Sequence, residues 1–162
     1  MTPATVQDRS YYAGHLEGRV GELLDQATAA WSETQKAESY LLEAQRLAPS
    51  ALPVFFSLYK FYFYKGELEQ AEMTVREALR TAALLGDFEA DWTKHELGTA
   101  PWSSHDNPAH FYLFSLKALA FIRLRRGDTE TCRTLLAKLQ LLDPSDTIGS
   151  GVIASLMGSL GH

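Results

Sequence analysis

Apolar and polar residues follow a helical period along most of the chain. Apolar positions recur every three or four residues in stretches bounded by glycine, proline, serine, asparagine or aspartate. No stretch shows the convincing two-residue alternation that a half-buried β-strand requires. The pattern predicts an all-α fold, with helices near 10–30, 33–47, 51–65, 68–85, 108–126, 129–142 and 147–158.

Residues with capping side chains support several of these helix starts. Ser32 and Gln35 form a predicted capping box ahead of the helix near 33–47. Asn107 comes directly before Pro108, so asparagine would cap a helix whose first position is proline. Asp128 is placed to cap the helix that follows it.

A spacing of 34 residues relates two segments that align without gaps. Ala37 and Ala71 begin these segments, and Ala44 and Ala78 end them. Small residues let two antiparallel helices approach closely, while bulky neighbours fill the remaining space. The spacing therefore predicts repeated helix pairs, and the four alanines should be buried between helices.

A third, more distant copy follows. Gly66 and Gly127 each end a predicted helix, and Pro144 follows Gly127 by 17 residues. The third copy is offset by 61 residues from the second, which leaves an insert between them. We therefore expect one domain, 1–162, with repeats at about 18–50, 51–83 and 108–145, an insert at 84–107 and a C-terminal cap at 146–162.

The repeated residues resemble the tetratricopeptide-repeat consensus. The first copy fits less well than the others, and the third departs from the consensus at Arg123 and Cys132, where the family prefers a large aromatic residue and alanine. The resemblance implies a helical-hairpin solenoid of about three repeats, with a concave surface lined by the first helix of each pair. It is carried by Leu24, Ala37, Leu41, Ala44 and Pro49 in the first copy, by Phe55, Leu58, Tyr62, Gly66, Ala71 and Ala78 in the second, and by Leu116, Leu119, Gly127, Leu136 and Pro144 in the third.

A closer resemblance involves two aromatic-rich segments. The stretch 41–72, with its aromatic run at 55–64, and the stretch 111–121 look like small tetratricopeptide proteins of nitrogen-fixing bacteria. This resemblance implies an accessory or assembly factor whose partner is the nitrogenase molybdenum–iron protein.

Two helical stripes combine aromatic and cationic residues. Such residues are enriched at the centres of protein interfaces, and the cations suit an acidic partner. The family resemblance turns both stripes into the groove, although the insert could instead fold back and bury their rings. The stripes are Phe56, Lys60, Phe63 and Tyr64 in the second repeat, and Phe114, Lys117, Phe121 and Arg125 in the third.

The insert is acidic, with five carboxylates against Lys94. It also contains two of the three tryptophans, Trp92 and Trp102. Long loops in compact domains are often functional. Each tryptophan is therefore either an exposed anchor for a partner or a plug that seals the helix stack.

Composition argues against several classes of function. The net charge of -5 disfavours nucleic acid and anionic membranes as partners. No apolar run approaches the roughly 18 residues that a membrane span needs. A single cysteine, Cys132, excludes an internal disulfide and is expected to be a packed thiol in a soluble, cytoplasmic protein.

No motif for catalysis or cofactor binding is present. A histidine-rich group around the insert matches no helical zinc motif, and we expect no metal there. The sequence therefore predicts a non-catalytic protein-binding factor without a cofactor. The alternatives are a general adaptor or small chaperone for another client, such as a secretion system, and, more remotely, a metal-dependent enzyme. That enzyme would use His95, Glu96, His105, Asp106 and His110.

Overall fold

A computed structural model of the chain describes residues 18–103 and 107–160, with side chains to residue 156. Within this part every regular element is a helix, as predicted, and none of the helices is long and apolar enough to cross a membrane. A single 3-10 turn, Trp92–Lys94, lies in the insert. The helices are α1 (Gly18–Ala29), α2 (Thr34–Leu47), α3 (Leu52–Tyr64), α4 (Leu68–Gly86), α5 (Pro108–Arg125), α6 (Thr129–Leu142) and α7 (Gly151–Leu160).

The chain divides into two compact units, and the boundary lies within α4, between Thr74 and Val75. In the first unit α1 packs against α2, and α2 packs against α3. Ala37 and Ala44 on α2 are completely buried, as the repeat predicts, and lie in a core with Leu23, Leu24 and Leu41. The short link at 30–33 makes α1 and α2 an adjoining helix pair.

In the second unit α5 packs against α6, and α7 contacts both. Cys132 on α6 is a fully buried free thiol, and burial raises its pKa. Leu135 and Leu139 follow it on the buried side of α6 at helical spacing. The second pair of repeat alanines is also completely buried, with Ala71 in the first unit and Ala78 in the second.

The predicted caps hold at two helices and fail at one. Asn107 Oδ1 accepts hydrogen bonds from the amides of Ala109 and His110, at 2.8 and 3.3 Å. Asp128 Oδ1 accepts from the amide of Thr131 at 3.0 Å. The capping box at Ser32 was wrong, because α2 begins at Thr34 and its N-cap is Glu33, which makes no side-chain cap bond.

Three helices end in the same hydrogen-bonded turn with one left-handed residue. Gly66 and Gly127 have φ values of 79° and 87°, which confirms their predicted role in ending α3 and α5. At the end of α4 the left-handed residue is Asp87, with φ 56°, although Gly86 stands directly before it. There the amide of Phe88 donates to the carbonyl of Ala83, and that of Asp87 donates to Leu84.

The described chain ends in α7, which starts at Gly151 rather than near the predicted 147. Ile148 and Ile153 are buried and cover the α5–α6 pair, whereas Val152 is exposed. The side chains of Met157 and Leu160, and residues 10–17 of the first predicted helix, lie outside the described residues.

Candidate partner-binding surfaces

The accessible side of α3 carries three of the four residues of the predicted aromatic and cationic stripe, and the fourth, Phe56, is buried. Every residue from Leu52 to Tyr62 is buried except Lys60, and Phe63 and Tyr64 are half-buried. The Lys60 ammonium lies 5.6 Å from the centre of the Phe56 ring and 6.0 Å from that of Tyr64. We call Phe56, Lys60, Phe63 and Tyr64 the α3 surface. Phe56 itself is only 6% exposed, so its ring contacts Lys60 from the buried side of the surface.

A further cation–ring contact, between Lys65 and Trp31, lies next to the α3 surface, and the sequence did not predict it. Lys65 Nζ donates to the carbonyl oxygen of Trp31 at 2.7 Å. Its ammonium lies 5.5 Å from the Trp31 ring and 5.8 Å from Phe61, and these two rings meet edge to face. The contact fixes the α1–α2 link against the end of α3. The signal available in the sequence was the 34-residue spacing of Lys65 and Trp31.

A tyrosine–carboxylate bond joins α2 and α3. The hydroxyl of Tyr62 donates to Glu38 Oε2 at 2.7 Å. Burial, together with the Glu38 carboxylate, raises the pKa of Tyr62. Tyr62 is therefore a neutral hydrogen-bond donor that stabilises the helix packing beneath the α3 surface.

The second predicted stripe lies on the accessible side of α5. Phe114, Lys117 and Phe121 are half-buried, and Arg125 is exposed. Lys117 Nζ lies 5.2 Å from the centre of the Phe114 ring and donates to the carbonyl of Ile148 at 2.7 Å. Burial lowers the pKa of Lys117, opposed by the nearby Asp146. We call Phe114, Lys117, Phe121 and Arg125 the α5 surface; its lysine also holds the segment before α7.

The two tryptophans of the insert have different environments. Trp102 is 4% exposed, and its Nε1 donates to the carbonyl of Glu96 at 3.0 Å. Trp92 is half-buried and begins the 3-10 turn. The structure thus places Trp102 as a plug within the second unit, and Trp92 remains the more accessible candidate anchor.

An aromatic cluster surrounds Trp102. Phe88, His95, Trp102 and Tyr112, which we call the insert cluster, contact one another at ring-centre distances from 4.8 to 6.0 Å. Tyr112 comes from α5 and the other three come from the insert. The cluster therefore joins the insert to the helix pair of its own unit.

Hydrogen bonds complete the attachment of the insert. His95 Nε2 donates to the carbonyl of Glu89 at 2.5 Å, and Nδ1 forms a second hydrogen bond with Thr99 Oγ1 at 2.8 Å. Lys138 Nζ on α6 donates to the carbonyl of His95 at 2.7 Å, and the Tyr112 hydroxyl donates to that of Ala90. Sequence reasoning missed these tertiary partners, because loop residues carry no period.

The metal-site alternative has no geometric support in the described part of the chain. No group of three or more His, Cys, Asp or Glu side chains there could hold a metal ion. His95 uses both ring nitrogens in hydrogen bonds, and His110 is buried on α5. His105 and Asp106 lie outside the described residues.

The predicted site residues are divided between the two units. The α3 surface belongs to the first unit, and the α5 surface, Trp92 and Trp102 belong to the second. Lys60 contacts Phe56 and Tyr64, Phe63 contacts Tyr64, and Lys117 contacts Phe114. Aromatic rings and cations therefore combine on the accessible sides of both α3 and α5.

These features define an all-helical protein built from adjoining helix pairs, with aromatic and cationic residues on the accessible sides of two helices. The chain belongs to the family of the "uncharacterized 19.8 kDa protein in nifW 5′ region" of Azotobacter chroococcum mcd 1. The two sequences are 30% identical over 123 residues, which cover 75% of this chain and 69% of the relative. No protein-family model and no solved structure matches the chain.

Proposed function

We propose that this protein is a non-catalytic, protein-binding accessory factor of nitrogen fixation. The observation that carries the proposal is its kinship with a protein located in the nifW 5′ region, a nitrogen-fixation locus. We further propose that its client is the nitrogenase molybdenum–iron protein, which is what its resemblance to nitrogenase-associated factor T implies. The buried free thiol of Cys132 is consistent with a reducing cytoplasm.

The fold supports a tetratricopeptide-type solenoid as the framework for this activity. The alanines at the 34-residue spacing, Ala37, Ala44, Ala71 and Ala78, are completely buried. Such burial is what close packing of paired helices requires of small residues. Repeats of this type stack into superhelices whose first helices present a binding surface, and in the proposed arrangement α1, α3 and α5 are these first helices.

The two surfaces have the chemistry of protein recognition. Aromatic rings lose little conformational entropy on binding and supply large apolar area, and cations fixed over them add charge selectivity. Lys60 and Lys117 are held over rings on α3 and α5. An acidic, partly apolar face of the client fits both surfaces.

Affinity capture from nitrogen-fixing cells tests the proposal. The tagged full chain should retain the nitrogenase molybdenum–iron protein, whereas cells grown on fixed nitrogen, which lack the client, should give none. A Tyr64→Ala plus Phe121→Ala variant should lose most of this capture, because both rings are accessible. A matched Leu42→Ala variant, at an exposed position on α2, should capture as well as the unsubstituted chain.

The remaining functions predict other results of the same experiment. Repeated absence of nitrogenase peptides, together with capture of a different protein, would favour a general adaptor or a chaperone of another system such as secretion. Metal retained through native purification would favour the metal-dependent enzyme.

A further inference from the structure

Three leucines around the insert are exposed to an unusual degree. Leu84 and Leu85, at the end of α4, are 82% and 51% exposed, and Leu97 in the insert is 54% exposed. Single exposed leucines are ordinary, but Leu84 and Leu85 are consecutive, and adjoining exposed apolar residues indicate an interaction surface. All three belong to the second unit.

The segment that contains these leucines is also acidic. Between residues 84 and 103 the sequence has four acidic residues, Asp87, Glu89, Asp91 and Glu96, against the one basic residue Lys94. All four carboxylate residues are exposed. Two of them also make local bonds: Asp91 Oδ1 caps the 3-10 turn by accepting from the Thr93 amide at 3.0 Å, and Glu89 Oε1 accepts from the Asp91 amide at 3.1 Å. Asp87, Glu89 and Glu96 lie in the same segment as the leucines. We call Leu84, Leu85, Asp87, Glu89, Glu96 and Leu97 the insert face.

The insert face is held in place rather than left as a loose loop. The ring of Phe88 contacts His95, and the His95 ring donates to the carbonyl of Glu89, so the segment at 88–89 lies beside His95, the residue before Glu96. Lys138 binds the carbonyls of His95 and Thr93 from α6. A preformed surface binds without the entropic cost of ordering a loop.

The negative charge of the insert face determines which class of partner can bind to it. A second copy of the chain in a symmetric pair would place carboxylates against carboxylates, which disfavours self-association through this face. Nucleic acid and anionic lipid are repelled for the same reason. A protein segment with apolar residues flanked by lysine or arginine satisfies both the leucines and the carboxylates.

We propose that the insert face is a second docking surface, which binds a basic, apolar segment of the client protein. The inference rests on the proposed function for the identity of the client. The chemistry of the docking segment follows from the insert face itself. It also gives the insert a role distinct from that of the α3 and α5 surfaces, whose cations suit acidic regions.

The first test uses the captured client. A Leu84→Gln, Leu85→Gln, Glu96→Lys variant of the full chain should bind the purified nitrogenase molybdenum–iron protein at least about 30-fold more weakly. A Leu42→Gln, Leu47→Gln, Glu22→Lys variant makes the same kinds of change at exposed positions in the first unit and should bind normally. Equal binding by both variants would overturn the inference and leave the proposed function standing.

The second test does not depend on nitrogenase. A synthetic helical peptide of leucine and lysine should shift the amide resonances of residues 84–97 in the labelled full chain, and the matched leucine–glutamate peptide should not. The triple variant should weaken lysine-peptide binding by about 10-fold or more. Shifts spread over the whole protein, or equal shifts with both peptides, would overturn the inference even if nitrogenase is the client.

Discussion

Lys65 donates a hydrogen bond to the carbonyl oxygen of Trp31, and its ammonium lies 5.5 Å from the centre of the Trp31 ring. The residues are 34 positions apart, which is also the spacing of Ala37 and Ala71. Each lies in the link that precedes the second helix of a predicted repeat, α2 or α4. The contact therefore joins the corresponding links of two predicted repeats within the first unit.

Replacing Lys65 with methionine should destabilise the protein by about 1–2 kcal/mol. The methionine keeps most of the apolar stem but loses the cation over the ring and leaves the Trp31 carbonyl without its lysine donor. Urea denaturation followed by circular dichroism measures the loss. Lys36→Met, at an exposed position in the first turn of α2, is the matched control and should change stability little. Equal losses in the two variants would mean that the Lys65 contact contributes nothing.

Glycine-to-alanine changes in two helices should have opposite effects. A Cβ at Gly86 would overlap the ring of Phe88, with Cδ2 at 2.8 Å, and would lie 3.2 Å from the Pro108 Cβ. Gly86→Ala should therefore cost about 1–3 kcal/mol. A Cβ at Gly21 on α1 meets nothing within 4 Å, so Gly21→Ala should stabilise by up to about 1 kcal/mol. The midpoints of thermal unfolding should move in opposite directions, and a stabilising Gly86→Ala would contradict the packing of Phe88 at the helix end.

Two aspartates with positive φ should respond differently to replacement by glycine. Asp87 and Asp146 have φ values of 56° and 52°, a region that costs a non-glycine residue energy. Asp87→Gly relieves this cost and should stabilise by about 0.5–1 kcal/mol. Asp146 instead accepts bonds from Ser150 Oγ at 3.1 Å and from the Gly151 amide at 3.3 Å. Asp146→Gly should therefore give no gain or a loss, and a gain equal to that of Asp87→Gly in denaturation measurements would refute this distinction.

Stability should fall as the pH rises through the alkaline range. Burial is the main cause that raises the pKa of Tyr112, and the carboxylates of Asp91 and Glu89 add to it. The unfolded chain loses this phenolic proton near about pH 10, whereas the folded chain retains it to higher pH. The folded state then binds more protons, so stability present below about pH 10 is lost above it.

Tyr112→Phe tests the origin of this alkaline loss. The variant loses the bond to the Ala90 carbonyl and should be less stable at neutral pH. Its free energy of unfolding should nevertheless fall less steeply between about pH 9 and pH 11, because one tyrosine no longer titrates. Identical slopes for the variant and the parent chain would show that Tyr112 ionisation is not linked to folding.

The helices could be predicted from the sequence because each depends on local information. The predicted helix at 129–142 has the observed bounds, and that at 51–65 differs by one residue at each end. The capping-box prediction at Ser32 and Gln35 was wrong because residues of these types can also occur just outside a helix start. The N-cap of α2 is Glu33, which makes no side-chain cap bond. The insert cluster was not predictable, since Phe88 and Tyr112 meet only through tertiary packing. The periodicity of apolar residues also cannot show whether Trp92 or Trp102 is the buried tryptophan.

The insert cluster should protect the insert from proteolysis. Lys94 is exposed, but Lys138 holds the carbonyls of Thr93 and His95 on either side of it. Cleavage of a structured segment requires local opening, and the rate follows the free energy of that opening. Trp102→Ala removes ring contacts and the bond to the Glu96 carbonyl, so trypsin should cut after Lys94 at least about 10-fold faster.

The comparison needs a control in the same loop and a check on global stability. Leu97→Ala, at an exposed position of the insert, should be cut after Lys94 at the rate of the parent chain. Mass spectrometry of the early fragments should place the added cleavage at Lys94 and not at Arg80 on α4, because only the insert has lost its anchor. Acceleration at both sites would instead indicate global unfolding. An unchanged rate after Lys94 would mean that Trp102 does not hold the insert, and the preformed insert face would lose its physical basis.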